Sequence, residues 1–517
     1  MIEVPKKRFW NSHRHLLGIV LVLSLGLKAA ILLSPAGDGA INRDGVLYIS
    51  AAKMLQEGRV QESLKIYPMP LYPAAIALTE WMVGDWILSA RILSVLSFTL
   101  VCFPLFFLTR QLFNDQSAFW ACLLFAVSPQ PNGLTLQVIR DPVFLLFFAG
   151  AVYFGVRSLA TRRMSHTLWT IVFSWSAAIL RVEALGLIAI HGVLLLYLAI
   201  RKREDRPFGL KGLTAWLASV LVLIVLALSL AGADVRSFNR FGETHERISG
   251  WANWEFLESY EGLRRELFEM EARSPVSFAR QNFAQIARHF IWLIYLIGLV
   301  ENLIVVLTPA GALSLFWGKR GRRDKAFFFV GALTFCLLIA LYLHLVEMDF
   351  LEPRFLLPVA ILLLPWCGNG IANLVAKWKT GSTGHKALAV LLGILFVPSL
   401  YGDYKTFRVK EEAIQEVGAW LSGYLANKHS DILTTDLRIP FYAGMRIYDD
   451  DRGKVVLFRK TDGDYRDVSA LASRWGIDTM IIDTSVKKMD LIPPEGLFVV
   501  VKEFSTDRRV VVVFKRK

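Results

Sequence analysis

The 517-residue sequence has only four cysteines, and none of them lies in a pattern that binds a metal or indicates a disulfide. Each lies inside an apolar run, with no Cys-x-x-Cys pair and no Cys/His pair at ligand spacing. The nine histidines are scattered, and no His-Glu-x-x-His group occurs. Disulfide bonds, structural zinc and a zinc enzyme are therefore not expected.

Nucleotide-binding motifs are also missing from the sequence. The chain has neither a Gly-x-x-x-x-Gly-Lys-Ser/Thr phosphate loop nor a Gly-x-Gly-x-x-Gly turn, so ATP-driven transport has no support. No internal repeat or low-complexity segment is visible. The first apolar run has no small-residue cleavage site of the Ala-x-Ala kind, and more apolar runs follow it. We therefore expect it to be retained as a helix.

Apolar residues are the most abundant class in the sequence. They make up 54% of the chain, and the mean hydropathy is +0.45, both above the values typical of a soluble protein. The formal charge is +14, but the basic residues form short clusters between apolar runs instead of one stripe. This pattern indicates a membrane protein that follows the positive-inside rule, and it does not indicate a nucleic-acid partner.

The apolar runs predict about eleven transmembrane helices, since about 20 residues are needed to cross a bilayer. The run at 167–200 is divided into two spans because it is too long for one helix and contains Arg181 and Glu183. The other predicted spans are at about 15–33, 86–109, 116–136, 142–158, 213–232, 288–317, 326–346, 354–376 and 387–401. The basic clusters place the N-terminus in the cytoplasm and the residues after about 401 outside.

The predicted fold class is an all-α polytopic membrane domain over residues 1–401, followed by a soluble α/β domain over residues 402–517 in the periplasm. This tail has a helix-like segment at 409–427 and then short apolar runs separated by polar segments. The predicted strands are at 431–435, 455–458, 479–482, 497–501 and 510–514.

Charged residues near the spans are the candidates for chemistry, because such charges are costly unless they are paired or hydrated. Asp44 lies in the outer loop after the first span, where a solvated loop carboxylate is the simpler alternative. Asp141 precedes Pro142, so helix capping accounts for it without catalysis. Both aspartates emerge on the outer face, where they could converge on one cavity for acid-base work or metal binding.

Two further charged groups lie at outer turns. Arg181 and Glu183 either pair with each other or with lipid headgroups, or they line the cavity. Arg354 precedes an inward-going span and either snorkels or holds a phosphate with its fixed fork of donors. The outer loop at 233–287 contains a helical stretch at 258–273 and two tryptophans, which indicate an interfacial helix.

The order of these features resembles the GT-C superfamily of membrane glycosyltransferases. The resemblance is strongest to the bacterial branch related to protein O-mannosyltransferases and lipid A aminoarabinose transferases, and it runs through most of residues 15–376. Its matching pieces are Asp44 with Tyr48 and its amphipathic helix, Tyr67-Pro68-Met69-Pro70-Leu71-Tyr72-Pro73, Ala90-Arg91-Ile92-Leu93, Arg140-Asp141, Leu180-Arg181-Val182-Glu183 and Pro353-Arg354-Phe355-Leu356-Leu357-Pro358.

This resemblance implies an inverting transferase that moves a sugar from a polyprenyl-phosphate carrier to a protein, lipid or glycan acceptor at the outer face of a bacterial inner membrane. Asp44 would deprotonate or orient the acceptor hydroxyl, and Asp141 would support it or help to hold Mg²⁺ or Mn²⁺. The carrier phosphate would contact Lys65, Tyr67 and Arg354. The positive charges of Lys65 and Arg354 suit the negative charge that develops on a leaving phosphate. The implied cavity lining is Arg43, Tyr48, Arg140, Arg181 and Glu183.

Two departures from the superfamily pattern bear on these roles. Many relatives carry two adjacent acidic residues in the first loop, whereas Arg43 and Gly45 flank Asp44. Many also have a Pro-Pro pair where this chain has Pro68-Met69-Pro70. Two other function classes stay open. A glycolipid transporter or flippase would use charged residues deep within spans and inverted repeats, and a non-catalytic scaffold would only present the C-terminal domain.

Overall fold

The computed structural model describes most of the chain, and the described residues are mainly helical. The described segments are 9–201, 204–231, 246, 249–273, 286–287, 289–318, 325–380, 383–406, 412–426, 429–446, 454–458, 472, 475–485, 498–505 and 509–517.

The helices before the middle of the chain include both long apolar helices and short helices that connect them. They are α1 Phe9–Leu32, α2 Arg43–Gln56, α3 Val60–Ile66, α4 Leu71–Val83, α5 Trp86–Leu112, α6 Asp115–Ala126, α7 Pro129–Leu134, α8 Asp141–Thr161, α9 Met164–Leu180, α10 Leu185–Arg201 and α11 Arg206–Ala231. The later helices are α12 Phe256–Arg273, α13 Ile291–Leu307, α14 Pro309–Ser314, α15 Lys325–Met348, α16 Leu357–Thr380, α17 Thr383–Thr406, α18 Glu412–Tyr424 and α19 Arg438–Tyr442.

Within the described residues, six helices are long and apolar enough to cross a membrane, and a bent pair would make a seventh span. This confirms a multi-pass membrane protein, while the predicted count of eleven spans is not confirmed. The predicted division of the 167–200 run is confirmed, because α9 ends at Leu180 and α10 begins at Leu185. Arg181 between them has an extended backbone with φ −150°.

Two predicted spans are interrupted in the structure. The run at 116–136 forms α6 and then α7, which begins at Pro129. The run at 288–317 bends by 102° between α13 and the helical segment that starts at Pro309. Thr308 lies at this bend with φ 66°, which is rare for a β-branched residue, and its Oγ1 accepts a hydrogen bond from the Gly311 N–H at 3.3 Å. Pro129 at the start of α7 accounts for the first break. Pro309, together with the strained backbone of Thr308, accounts for the second.

The chain divides into two compact units. The first contains Met1–Ile31, Ile92–Thr135 and Arg140–Thr406, and it holds most of the apolar helices. Small residues allow its helices α6 and α16 to pack closely. A Cβ atom on Gly368 would lie 2.3 Å from the backbone oxygen of Ser117, and the Asn369 side chain donates a hydrogen bond to the Ser117 hydroxyl at 3.2 Å.

The second unit joins Leu32–Arg91, Leu136–Ile139 and Phe407–Lys517. It therefore combines the segment after α1, with α2 to α4, and the C-terminal segment. The boundary predicted at residue 401 stays a prediction, but the C-terminal segment is not the whole of this compact unit.

The C-terminal segment forms a five-stranded mixed sheet with the order β2-β1-β3-β5-β4. The strands are β1 Ile432–Thr434, β2 Val455–Leu457, β3 Thr479–Ser485, β4 Phe498–Ser505 and β5 Arg509–Arg516, each at a predicted position. β1 pairs in parallel with β2 and β3, whereas β5 runs antiparallel to β3 and β4. Helix α18 buries Ile414, Val417 and Leu421 in a core with residues of β1, β3 and β5. The predicted α/β character of the tail is confirmed.

The close approach of α6 and α16 predicts that Gly368→Ala destabilises the protein. The new methyl group would meet a backbone oxygen that cannot rotate away, so the helices must shift at a cost of about 1–3 kcal/mol. Gly331→Ala is the matched control, since a Cβ atom there meets nothing within 4 Å. Thermal unfolding in detergent would show a lower midpoint for Gly368→Ala alone. Equal midpoints for the two variants would contradict this account of the packing.

Candidate active site

Asp44 lies in the first turn of α2, and its side chain is exposed. The residue before the helix, Asn42, has an extended backbone with φ −72° and ψ 161°. Among the residues that the structure describes, none forms a hydrogen bond or an ion pair with the Asp44 carboxylate. A carboxylate at this position is stabilised by the free N–H groups and the dipole of the helix N-terminus. Asp44 is therefore an exposed anion at a defined place.

Side chains from distant parts of the sequence hold the backbone of the loop before Asp44. Arg91, which is buried, donates hydrogen bonds to the backbone oxygens of Gly37, Gly39 and Leu136, the last two at 2.7 and 2.8 Å. Gln415 of α18 donates to the backbone oxygen of Asp38 at 2.8 Å. The loop is thus fixed through its carbonyl groups, without secondary structure of its own over residues 40–42.

The short helix α19 binds both backbone polar groups of Ile41. The Tyr442 hydroxyl accepts a hydrogen bond from the Ile41 N–H at 2.8 Å, and Arg438 Nη1 donates to the Ile41 oxygen at 3.4 Å. Ile41 is fully buried, so these groups have to find partners within the protein. The C-terminal segment therefore supports the loop three residues before Asp44.

Asp436 holds Arg438 in place at the end of β1. Its carboxylate accepts hydrogen bonds from the Arg438 backbone N–H at 3.0 Å, from Nε at 3.0 Å and from Nη2 at 2.7 Å. Arg43, whose side chain is 63% exposed, reaches the same carboxylate at 3.4 Å. Burial disfavours the ionised acid, but the hydrogen bonds and charge of Arg438 outweigh it and keep the pKa of Asp436 below its ordinary value.

Asn42 and Gly45 fit the start of α2 against residues 136–139. The Asn42 Oδ1 atom accepts a hydrogen bond from the Val138 N–H at 2.8 Å. A Cβ atom on Gly45 would lie 2.7 Å from the Cβ atom of Val138. The residue after Asp44 is therefore glycine because no space is left for a side chain.

Lys65 and Tyr67, the two predicted phosphate contacts in the segment after α1, differ in accessibility. Lys65 is exposed in the last turn of α3. Tyr67 is 3% exposed, and its ring meets that of Tyr48 edge to face with centroids 4.8 Å apart. Tyr48 packs in the same way against Tyr72 at 5.0 Å. Tyr48 and Tyr67 are thus core residues of this loop, and their predicted ligand contacts stay predictions.

In the first unit, Asp141 and Arg181 form a buried ion pair, with side chains that are each 7% exposed. Asp141 lies in the first turn of α8, after the half-buried Arg140. Arg181 also donates to Glu183 Oε1 at 2.5 Å. The structure thus shows the predicted Arg181–Glu183 pair, and it adds Asp141 as a second acidic partner.

Phe355 connects this group to Arg354. Its ring centroid lies 5.0 Å from Cζ of Arg181 and 5.5 Å from Cζ of Arg354, both within cation–π range. Arg354 is ion-paired with Glu352. Residues from three separate turns of the sequence therefore form one cluster, which we call the arginine cluster: Arg140, Asp141, Arg181, Glu183, Glu352, Arg354 and Phe355.

The predicted divalent cation has no ligand set in the described part of the chain. No group of three or more His, Cys, Asp or Glu residues there is arranged so that it could hold a metal ion. The Asp141 carboxylate is already ion-paired with Arg181. Because Mg²⁺ prefers six oxygen ligands, the described residues do not fit a metal site built by the protein alone.

Comparison with known proteins gives a family match and a fold match. A sequence model described as dolichyl-phosphate-mannose-protein mannosyltransferase matches residues 68–230. The Archaeoglobus fulgidus oligosaccharyltransferase, solved in complex with Zn and sulfate, superposes with a TM-score of 0.57 at 11% identity, covering 90% of this chain and 68% of that one. ArnT from Cupriavidus metallidurans in the apo state gives 0.52 at 14% identity, covering 96% of this chain and 97% of that one.

A third structure, A. fulgidus AglB with an inhibitory peptide and a dolichol-phosphate, gives a TM-score of 0.52 at 12% identity, covering 93% of this chain and 70% of that one. This chain therefore has the fold of these membrane transferases, and the predicted resemblance to the GT-C superfamily is confirmed as a resemblance of fold. No curated protein sequence matches the chain. Identities this low show the fold alone and leave the substrate to be argued from the site.

Several residues of this candidate site were not assigned a role from the sequence. Arg438 and Tyr442 lie almost 400 positions after Asp44, and no local pattern links them to it. Arg91 had a detectable signal, because it is a charged residue near the start of the apolar helix α5. Gly45 follows directly after the candidate base, but its close contact with Val138 is visible only in the fold.

The buried pair in the arginine cluster predicts that Arg181→Gln destabilises the protein by about 3 kcal/mol, because Asp141 is left as an unpaired buried charge. Adding Asp141→Asn should recover most of the loss, since the double variant buries no charge at either position. Thermal unfolding in detergent measures both effects. A double variant as unstable as Arg181→Gln would show that the pair does not set the cost.

The low pKa of Asp436 predicts a pH-dependent stability difference between the wild type and Asp436→Asn. The folded state favours the ionised acid, so its stabilising contribution is present above about pH 4 and is lost as the pH falls through the lower folded pKa. Unfolding midpoints should therefore differ most near neutral pH and converge in acid. A difference that stays constant down to low pH would contradict this assignment.

Proposed function

We propose that this chain is a polyprenyl-phosphate-sugar-dependent glycosyltransferase with Asp44 as its catalytic carboxylate. The observation that carries the proposal is an exposed Asp44 at a helix N-terminus, on a loop whose backbone is held by Arg91, Gln415, Arg438 and Tyr442. A general base needs access to its substrate and a fixed position. Asp44 has both.

The proposed reaction is an inverting displacement at the anomeric carbon. Asp44 orients the acceptor hydroxyl and takes its proton while the acceptor oxygen forms a bond to the sugar. The bond between the anomeric carbon and the carrier phosphate breaks, and the phosphate leaves with the electron pair. The base and the leaving phosphate act on opposite faces of the sugar, so its configuration inverts.

Cationic side chains are proposed to stabilise the leaving phosphate. Lys65 is exposed in the first outer loop, and Arg43 precedes Asp44 with an exposed side chain. Arg354 and Arg181 belong to the arginine cluster, where nearby acids balance their charge. A phosphate would replace Glu352 as the partner of Arg354, because the guanidinium fork suits phosphate oxygens as well as carboxylate oxygens.

Similarity to GT-C structures supports the carrier class. AglB was solved with a dolichol-phosphate and an inhibitory peptide, which favours a lipid phosphate donor and, among the possible acceptors, a protein. Lipid and glycan acceptors are the alternatives. The basic clusters of the sequence support a bacterial inner membrane protein with a cytoplasmic N-terminus and a periplasmic C-terminal domain.

The test replaces Asp44 by Asn, which keeps the shape and removes the base. Membranes with the variant should transfer label from radiolabelled undecaprenyl-phosphate sugars to a membrane extract at least about 100-fold more slowly than wild type. Asp38→Asn is the control, because Asp38 is an exposed carboxylate of the same loop whose backbone, not side chain, is bound by Gln415. It should retain wild-type transfer.

Transfer at the wild-type rate by Asp44→Asn would remove Asp44 from the mechanism. The absence of transfer by the wild-type protein across a panel of donor sugars would overturn the transferase proposal itself and favour the transporter or scaffold.

A further inference from the structure

The short helix α19 in the C-terminal segment binds the loop of the candidate base through one residue, Ile41. Tyr442 and Arg438 lie four positions apart, on one side of a five-residue helix, and take the N–H and the oxygen of Ile41. Ile41 is fully buried, and Asp44 follows three residues later. Any shift of α19 therefore moves the backbone from which α2 and Asp44 start.

From these contacts we propose that Tyr442 and Arg438 are positioning residues for Asp44, a role that rests on the transferase function proposed above. They do not contact the substrate. They set the place of the loop so that the carboxylate meets the acceptor hydroxyl. A misplacement of about 1 Å at a reacting group is enough to lower a rate about 100-fold.

The sheet provides the rigid base for this arrangement. Asp436 follows β1, which lies between β2 and β3, and its N–H donates to the Thr434 hydroxyl at 3.1 Å. Its carboxylate fixes the Arg438 guanidinium by hydrogen bonds to Nε and Nη2 and leaves Nη1 for Ile41. The buried side chains of Asp436 and Arg438 thus connect the end of β1 to the backbone of Ile41 through hydrogen bonds.

Tyr442 is likewise fixed by packing on α18. A Cβ atom on Gly418 of that helix would lie 2.4 Å from the Tyr442 Cβ atom, so the two helices approach closely at this glycine. The tyrosine hydroxyl is the acceptor of the buried Ile41 N–H. Removing it leaves that buried N–H without its acceptor, at a cost of about 1–3 kcal/mol, but keeps the ring and its packing, so Tyr442→Phe is a specific change.

The experiment compares full-length wild type, Tyr442→Phe and Tyr424→Phe in detergent. Tyr424 is the matched control, because it lies in the same compact unit, where its ring stacks on Trp420 at 5.0 Å. Three quantities are measured: kcat and KM for undecaprenyl-phosphate sugar donors, the unfolding midpoint, and amide hydrogen exchange of the peptide that contains Ile41.

We expect Tyr442→Phe to lower kcat at least about tenfold with an unchanged donor KM, because only the placement of the base is altered. The exchange of the Ile41 amide should become faster. The unfolding midpoint should fall by only the few degrees that one lost hydrogen bond costs, so the variant stays folded in the assay, and Tyr424→Phe behaves as wild type. Arg438→Gln should also lower kcat, but it leaves the buried Asp436 charge without its buried cationic partner and lowers the unfolding midpoint further, so Tyr442→Phe is the decisive variant.

Three results would overturn the positioning role: a wild-type kcat in Tyr442→Phe, an unchanged exchange rate at Ile41, or a loss of kcat that is fully accounted for by a smaller folded fraction at the assay temperature. These results differ from failure of the transferase proposal, in which the wild-type protein itself transfers no sugar. In that case the exchange measurement still decides whether Tyr442 holds the loop.

Discussion

The buried ion pair between Asp436 and Arg438 is the interaction on which the candidate site depends most. Asp436 is 1% exposed and Arg438 is 5% exposed. Charged side chains are costly in the protein interior unless each is paired with an opposite charge and hydrogen-bonded. The pair meets this condition through several hydrogen bonds and leaves one nitrogen of Arg438 for the Ile41 oxygen. The cost of burying the two charges is thus offset by a geometry that fixes the loop before Asp44.

The arginine cluster in the first unit also holds charged side chains in ion pairs, but it contains several charges of each sign. Three arginines and three acids lie together, and two of the arginines share the ring of Phe355. Near-neutrality makes such a cluster tolerable at the ends of apolar helices. It also means that an anionic ligand has to compete with Asp141, Glu183 and Glu352. Binding of a phosphate there is an exchange of partners, in contrast to the exposed Lys65.

Local sequence patterns predicted the helices and strands well where the hydrophobic periodicity or a single charged residue determines where an element begins or ends. The break at Arg181 and the five strands of the tail follow from polar residues that interrupt apolar runs. The bend at Thr308 was not predictable in this way, because an apolar run hides a residue with positive φ. Of the site, the sequence identified Asp44 and Asp141, but the bonds to Ile41 join positions 397 and 401 residues apart. Only the tertiary fold brings these residues together.

The way in which the loop is held also explains how it combines rigidity with exposure. The partners of Gly37, Asp38, Gly39 and Ile41 bind backbone atoms, so no side chain of the loop is needed to hold these four residues. The side chains of Arg43 and Asp44 therefore remain exposed, while the backbone behind them is anchored in buried structure. A transferase that receives a lipid-linked donor and a separate acceptor needs this combination, because both substrates have to reach a base that stays in place. The C-terminal segment supplies that anchor, and in the proposed transferase its physical role is to keep the base in place.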